Sequence, residues 1–401
     1  MNLILTSISL GIFFSCATFA SDMDSVRQAL IYPRKDVLTK IDKIKNGKYL
    51  SGLIMARTLV TASLEPSPIH RCPINKPDLN LGCKLILIGN ALNSGNRVEL
   101  REIDTLLSSQ DKDYLEKTLP SALISNLLDI PSTEIKSKRT TNILITAENS
   151  DFLEEIAKPI VSFEVNNVKG SALFDTGASL TILSQKDASR YQLQPIDSQM
   201  DISSYWTGGN IRAKFYLVKK LVIGDVELSN LVVLVGGELN VIGLDIMTKF
   251  KSLIISSSEI TINLPDPDLS KFEKRCASRV FLGSDFLRLN QYLYFVAGVD
   301  GKKTTIAIDS GYVDGEIGSN LHFYENIRTS PRTAILDDAH GPKQQIHYDA
   351  SVDLEIAGNT TKKVLRYSPD WMLPTPYVMG WLGLSNHTLI LNNDKLRACL
   401  I

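Results

Sequence analysis

The sequence lacks the residue patterns of several common functional sites. Its net charge is −1 and it has no long run of Lys or Arg, which argues against nucleic-acid binding and electrostatic docking to a membrane. Its five histidines show no His-Glu-x-x-His spacing, and no Cys-x-x-Cys pair occurs. The Gly-x-Ser-x-Gly and Gly-x4-Gly-Lys-Ser/Thr motifs are also absent. We therefore predict no metal, no cofactor and no nucleic-acid partner.

Residues 1–20 form an apolar run that ends in Ala-Thr-Phe-Ala, with small residues at Ala17 and Ala20. This pattern is typical of a signal peptide and predicts an exported protein, either periplasmic or secreted. Because the run has no Lys or Arg, a membrane anchor through the N-terminus is the alternative. Residues 13–15 make a poor lipobox before Cys16, and no other stretch is apolar enough to cross a bilayer.

Cysteine is scarce, with five residues in the chain, and removal of Cys16 with the signal peptide would leave four. An even number in an exported protein favours disulfides. Four cysteines allow three pairings, of which we favour Cys72–Cys83, which closes a short loop, and Cys276–Cys399, which ties the ends of a C-terminal unit. Four buried thiols are the alternative.

The chain changes character near residue 142. Residues 21–141 are predicted to be mostly helical, because residues 37–44 and 106–128 place apolar side chains at helical spacing. This region has no motif that carries chemistry, so we interpret it as a pro-segment or an accessory domain. Short β-branched and aromatic stretches follow to the C-terminus. Proline and aspartate at residues 264–268 predict a linker between two units, 142–265 and 266–401.

The two C-terminal units contain an internal repeat. In the first, a strand at residues 160–165 leads through a turn to residues 172–177, Ala-Leu-Phe-Asp-Thr-Gly. In the second, residues 292–296 lead through a turn to residues 306–311, Ile-Ala-Ile-Asp-Ser-Gly. Later segments also correspond, with Val-Ile-Gly ending at Gly243 and Val-Met-Gly at Gly380. The offset is about 135 residues, too long for a solenoid, so the repeat predicts two similar β lobes.

Each repeat contains a strand predicted to be buried that is followed by an aspartate, Asp175 in the first and Asp309 in the second. Two close carboxylates cannot both ionise cheaply, so they hold one proton between them. The ionised member can then take a proton from water while the protonated member donates to a substrate carbonyl. Neighbouring residues would support the loops by hydroxyl cross-links and close backbone approach: Thr176, Gly177, Ser310 and Gly311.

These residues resemble the aspartic proteases, both the pepsin-like two-lobed enzymes and the retropepsin-like type. Asp-Thr-Gly-Ala at residues 175–178 is close to the retroviral form, and residues 241–243 resemble the segment beneath the catalytic loop. The resemblance implies a mainly β fold with two β-barrel-like lobes, a cleft between them and a helical N-terminal region outside the match. It also implies an endopeptidase that binds extended polypeptide, without a cofactor, and that works as a monomer.

A flap is also predicted at residues 201–211, where two strands are joined by a Gly-rich tip. Tyr205 resembles the flap tyrosine of pepsin-like enzymes, and Thr207, Gly208 and Gly209 complete the predicted substrate-binding tip. Such a hairpin would exclude water and bind an extended substrate by strand-like hydrogen bonds. An ordinary exposed hairpin is the alternative.

Two positions depart from the family pattern, since Ala178 and Tyr312 stand where acid-acting members have small hydroxyl residues. Fewer donors to the charged carboxylates predict higher pKa values and a mildly acidic activity optimum. The second loop could also be catalytically inactive, which leaves a peptide-binding protein with a protease-like cleft as the alternative function. A retroviral-type protease that pairs with another chain is a third reading, and the second Asp-Ser-Gly argues against it.

Overall fold

The computed structural model describes residues 81–401, except residues 117–118, 138, 146–157, 205, 207–209, 264, 285–286, 314, 321–330, 339–340, 369, 372, 374 and 395–396. The predicted signal peptide and the first part of the predicted helical region lie outside these residues. The described chain is mainly β, as the sequence predicts. Within it, no helix combines the length and apolar character needed to cross a membrane.

Helices come first in the described chain and are short after the strands begin. In chain order the elements are α1 (Leu81–Ser94), α2 (Arg97–Thr105), α3 (Ser109–Glu116), α4 (Ser121–Leu128), β1 (Glu134–Ser137), β2 (Thr141–Leu144), β3 (Ile160–Val165), β4 (Val168–Phe174), β5 (Ile182–Leu183), α5 (Gln185–Arg190), β6 (Gln194–Ser203), β7 (Asn210–Ile223), β8 (Val226–Val235), β9 (Val241–Ile242), α6 (Leu244–Met247), β10 (Ser252–Ile255), β11 (Glu259–Ile262), α7 (Asp266–Glu273), β12 (Ser278–Ser284), β13 (Gln291–Val299), β14 (Lys302–Ile308), β15 (Ile317–Ser319), β16 (Arg332–Asp338), β17 (Gly341–Ile356), β18 (Asn359–Tyr367), β19 (Tyr377–Met379), α8 (Trp381–Leu384), β20 (Leu389–Asn392) and β21 (Arg397–Leu400).

The junction between α1 and α2 is set by local sequence. Gly95 follows α1 with φ +75°, a left-handed backbone conformation that residues with a Cβ rarely adopt. A Cβ at this position would also lie 2.1 Å from Thr133 Oγ1. Asn96 then caps α2, since its side-chain oxygen accepts the Glu99 N–H at 3.1 Å. Glycine and asparagine therefore end one helix and begin the next within two residues.

The first sheet has the strand order β1-β8-β5-β9-β4-β3-β7-β6, with a further pairing of β8 to β7. Within it, β9 lies between two strands of the first repeat, parallel to β4 and antiparallel to β5. The second repeat has the same arrangement, because β19 pairs parallel to β14 and antiparallel to β15. The sequence repeat therefore corresponds to a repeated strand arrangement, and in each copy it places an aspartate loop at the end of a central strand.

The second sheet has the order β16-β17-β18-β15-β19-β14-β13-β12-β21-β20-β10-β11-β2, with a further pairing of β17 to β13. Strands from both repeats meet in it, since β10 pairs with β20 and places Ile254 opposite Ile390. The two halves of the repeat are thus hydrogen-bonded to one another through backbone.

Helices α1 to α4 pack against the first sheet. Leu87, Ile88 and Leu100 are fully buried in one cluster with Phe215 and Leu217 of β7. Burying a side chain of this size contributes roughly 1.5–3 kcal/mol, so these contacts fix the helices on the sheet. A separate, larger cluster contains Phe174 and Ile308, the last residues of β4 and β14, and supports both aspartate loops from below.

Two short elements differ from the sequence interpretation. Residues 134–137 form β1 within the region predicted to be helical; this exposed strand pairs with β8 through its backbone and has no apolar repeat to reveal it. Helix α7 begins inside the predicted linker at residues 264–268. Pro267 lies in its first turn, where proline is tolerated because the N–H has no helical partner there.

Candidate active site

Asp175 follows directly after β4. Its N–H donates to the Ile242 carbonyl of β9 at 3.0 Å, which keeps the end of the strand paired. The other end of the loop is held where the Leu244 N–H donates to the Ala178 carbonyl at 2.8 Å. Backbone bonds at both ends therefore fix the direction in which the Asp175 side chain leaves the strand.

Asp309 occupies the corresponding position after β14. Its N–H donates to the Met379 carbonyl of β19 at 3.0 Å, and the Trp381 N–H donates to the Tyr312 carbonyl at 2.7 Å. Gly380 permits this approach, since a Cβ there would lie 2.5 Å from the Tyr312 carbonyl oxygen. The two aspartate loops are therefore built in the same way.

The two loops are cross-linked by reciprocal hydrogen bonds. Thr176 Oγ1 donates to the Ile308 carbonyl at 3.1 Å and accepts the Ser310 N–H at 3.0 Å. Ser310 Oγ donates to the Phe174 carbonyl at 2.7 Å and accepts the Thr176 N–H at 2.9 Å. All four bonds are buried, so each loop fixes the position of the other.

The same cross-links bring the two carboxyl groups close together. Gly177 N–H donates to Asp175 Oδ1 at 2.7 Å, and Gly311 N–H donates to Asp309 Oδ1 at 2.9 Å. The Gly311 N–H also lies 3.1 Å from Asp175 Oδ1, so the two carboxyl groups share a donor. A Cβ on Gly177 would lie 2.3 Å from Asp309 Cγ, and one on Gly311 would lie 2.5 Å from Asp175 Cγ, which excludes larger residues.

Comparison with known proteins finds a family match for the first half of this site. Residues 161–246, which run from within β3 past β9 and include the Asp175 loop, match the family model described as aspartyl protease. The matched segment belongs to the aspartic protease family. A retropepsin-like aspartic protease from Rickettsia conorii, of known structure, is 26% identical, with 33% of this chain and 93% of that chain covered and a TM-score of 0.25. No curated protein matches the chain.

The two carboxyl groups of the site differ electrostatically. Burial raises the pKa of Asp175 well above its usual range, and the charge of Asp309 raises it further. Burial also raises the pKa of Asp309, although hydrogen bonds from Asp175, Trp206, Tyr312 and Gly311 oppose that change. The two carboxyl groups therefore titrate as a pair, and more N–H donors reach Asp309 than Asp175.

Trp206 is a residue of this site that the sequence analysis did not single out. It lies in the connection between β6 and β7, and its indole Nε1 donates to Asp309 Oδ2 at 2.9 Å. Its ring stacks on Tyr312, with centroids 4.1 Å apart. A tryptophan beside the Gly-rich tip is the sequence signal for this role, whereas the family resemblance indicated the neighbouring Tyr205.

The predicted flap residues Tyr205, Thr207, Gly208 and Gly209 lie outside the described residues. The strands on either side are described, and β6 and β7 pair as a hairpin in which Ser203 lies opposite Asn210. The flap therefore stays a prediction for its tip, and the described part of the hairpin provides the strands that it needs.

The structure joins Cys276 to Cys399 in a disulfide, with the Cα atoms 5.6 Å apart and a sequence separation of 123 residues. Cys399 is buried in β21 and lies opposite Arg279 of β12. The other favoured pair, Cys72–Cys83, includes a residue outside the described chain. Among the described residues, no cluster of His, Cys, Asp and Glu could hold a metal ion.

Proposed function

We propose that the protein is an aspartic endopeptidase in which Asp175 and Asp309 activate one water molecule for hydrolysis of a peptide bond. The observation that carries this proposal is the reciprocal cross-link of Thr176 and Ser310. It holds the buried Asp309 carboxyl and the half-buried Asp175 carboxyl close together, and like charges this close cannot both ionise cheaply. A site that retains one proton at mildly acidic pH contains both a general acid and a general base.

In the proposed reaction, ionised Asp309 takes a proton from the water molecule while the water oxygen bonds to the scissile carbonyl carbon. Protonated Asp175 gives its proton to the carbonyl oxygen, which yields a neutral gem-diol. Collapse of that intermediate breaks the C–N bond, and the proton held by Asp309 passes to the leaving nitrogen. The diol proton returns to Asp175, so the pair ends in its starting state.

The two sheets support a two-lobed arrangement, with one aspartate loop from each lobe facing a common cleft. We propose that extended polypeptide binds in this cleft beneath the β6–β7 hairpin, because strand-like segments pair readily with such an edge. Helices α1 to α4 would belong to an accessory region or pro-segment. Since both loops come from one chain, the active species would be a monomer.

We further propose that the protein is exported to the periplasm or secreted, on the basis of residues 1–20. Retention through the N-terminus as an anchor is the alternative. Fractionation of cells that produce the full chain, with N-terminal sequencing of the product, distinguishes cleavage after Ala20 from an uncleaved anchor.

Cleavage of a mixed peptide library tests the proposed activity. We expect the wild-type protein to cut peptides internally, a statine-type inhibitor to block the cut, and Asp175→Asn or Asp309→Asn to reduce the rate about a thousandfold. Asp300→Asn is the matched control, because this exposed carboxylate lies in the β13–β14 turn away from the site. Full activity in either dyad variant contradicts the proposal. Inhibitor binding without cleavage by the wild type supports the peptide-binding alternative.

A further inference from the structure

The hydrogen bond between Trp206 and Asp309 joins the first half of the repeat to the carboxyl group of the second. Asp309 is 8% exposed, and its Oδ1 atom accepts the Gly311 and Tyr312 N–H groups at 2.9 and 3.0 Å. The indole Nε1 instead donates to Oδ2 at 2.9 Å. Trp206 therefore binds the oxygen that the loop backbone leaves for other partners.

Trp206 is itself held in place by residues of the second half. Its ring stacks on Tyr312 at 4.1 Å with an interplanar angle of 17°, and meets the Trp371 ring edge-on at 4.8 Å. Gln345 Nε2 donates to the Trp206 carbonyl at 2.6 Å, and Gln345 Oε1 accepts the Trp371 indole N–H at 2.7 Å. Contacts with both the ring and the backbone thus fix the direction in which the indole N–H points.

We propose that Trp206 is a positioning residue for the aspartate pair: its N–H holds Oδ2 of Asp309 in the ionised form, so that Asp175 carries the proton. This inference rests on the proposed function. A hydrogen bond from a neutral donor to a carboxylate favours the charged form. Asp175 has no such indole donor among the described residues, since the N–H groups that donate to its carboxyl belong to Gly177 and Gly311.

Neutral N–H donors stabilise the charge of ionised Asp309. The titratable group that interacts with it is the Asp175 carboxyl, from the loop after β4. Tyr292 of β13 lines the same small pocket, and the Tyr312 ring stacks on Trp206. In the described part of the chain, no Lys, Arg or His forms an ion pair with either aspartate. Removal of the indole donor should therefore change the pKa of Asp309 directly.

The first test is the pH dependence of kcat/KM for Trp206→Phe, since kcat/KM reports the ionisation of the free enzyme. The variant keeps an aromatic ring and loses the donor. The pKa of Asp309 should rise, so the ionised form is lost at a higher pH as the solution is acidified. We expect the acidic limb to move upward by about one pH unit and kcat/KM at its optimum to fall about tenfold.

Trp371→Phe is the matched control. It removes an indole N–H from the same aromatic cluster, but that donor binds Gln345 and not a carboxylate. Its rate is free to change through packing, whereas its acidic limb should move less than that of Trp206→Phe, because the Trp206 indole keeps its hydrogen bond to Asp309. An unshifted limb in Trp206→Phe, or an equal shift in both variants, overturns the proposal.

A second test needs no catalysis and so separates this inference from the proposed function. The chain has three tryptophans, and ¹⁵N-labelled protein gives an indole N–H resonance for each that tryptophan-to-phenylalanine variants assign. The Trp206 resonance should follow a titration step that disappears in Asp309→Asn, while those of Trp371 and Trp381 keep their wild-type pH dependence. A Trp206 resonance with the same pH dependence in the wild type and Asp309→Asn overturns the inference. An inactive wild type that shows the step refutes only the proposed activity.

Discussion

At the scale of single residues, Tyr312 explains how the second loop departs from the family pattern while its carboxyl group keeps its donors. The sequence suggested that a tyrosine in place of a small hydroxyl residue would deprive Asp309 of a hydrogen bond. Instead the Tyr312 N–H donates to Asp309 Oδ1 and its ring supports Trp206, which donates to Oδ2. An indole N–H thus takes the place of a hydroxyl near the carboxylate.

The raised pKa of Asp175 makes stability depend on pH. A carboxyl group whose pKa is higher in the folded than in the unfolded protein stabilises the fold at low pH, and this contribution is lost as the pH rises through the folded pKa. Asp175→Asn removes the ionisable group, while its Oδ1 can still accept the Gly177 and Gly311 N–H groups. We expect the variant to exceed the wild type in free energy of unfolding by about 1–3 kcal/mol at neutral pH.

Urea unfolding between about pH 4 and pH 7 measures this difference, which should grow with pH. Asp300→Asn serves as the control, because it makes the same chemical change at an exposed turn. A difference between Asp175→Asn and the wild type that stays constant over this range contradicts the expected ionisation of Asp175.

At the scale of elements, the cross-link between the loops after β4 and β14 accounts for the stability of the site. Thr176 is fully buried, and its hydroxyl both donates to Ile308 and accepts from Ser310. Valine has nearly the same shape but can do neither, so Thr176→Val removes two buried hydrogen bonds. We expect it to lower the free energy of unfolding by about 2–3 kcal/mol and to reduce peptide cleavage, as measured by urea unfolding and peptide hydrolysis.

Thr305→Val provides the comparison for this prediction. Thr305 lies half-buried within β14, and valine suits a strand, so its effect should stay within about 0.5 kcal/mol. Equal stability of the two variants would mean that the cross-link contributes nothing beyond packing.

Much of this site could be predicted because the residues that identify it are contiguous in the sequence. An apolar strand that ends in Asp-Thr-Gly or Asp-Ser-Gly, followed later by a glycine at Gly243 or Gly380, defines each half without any knowledge of distance. Trp206 could not be found in the same way, since its partner Asp309 is 103 residues away in the chain. Helix α7 was not predicted, because prolines are typical both of linkers and of the first turn of a helix.

At the scale of the whole molecule, strand pairing crosses the boundary suggested by the sequence at residue 265. Strands β2, β10 and β11 come before that boundary, yet they pair into the second sheet, with β10 against β20. Such pairing joins strands far apart in the sequence, so composition and turn signals along the chain do not predict it. The two aspartate loops are consequently joined by a continuous sheet as well as by their own cross-links.

This connection leads to a prediction about the active unit. Because Asp175 and Asp309 meet within one chain, wild-type activity per chain should stay constant over about a hundred-fold dilution. An equimolar mixture of Asp175→Asn and Asp309→Asn, unfolded and refolded together, should cleave no more peptide than either variant alone. If the site were assembled from two chains, some mixed dimers would contain one intact aspartate from each variant. Recovered cleavage in the refolded mixture, or activity lost on dilution, would therefore assign the site to a dimer.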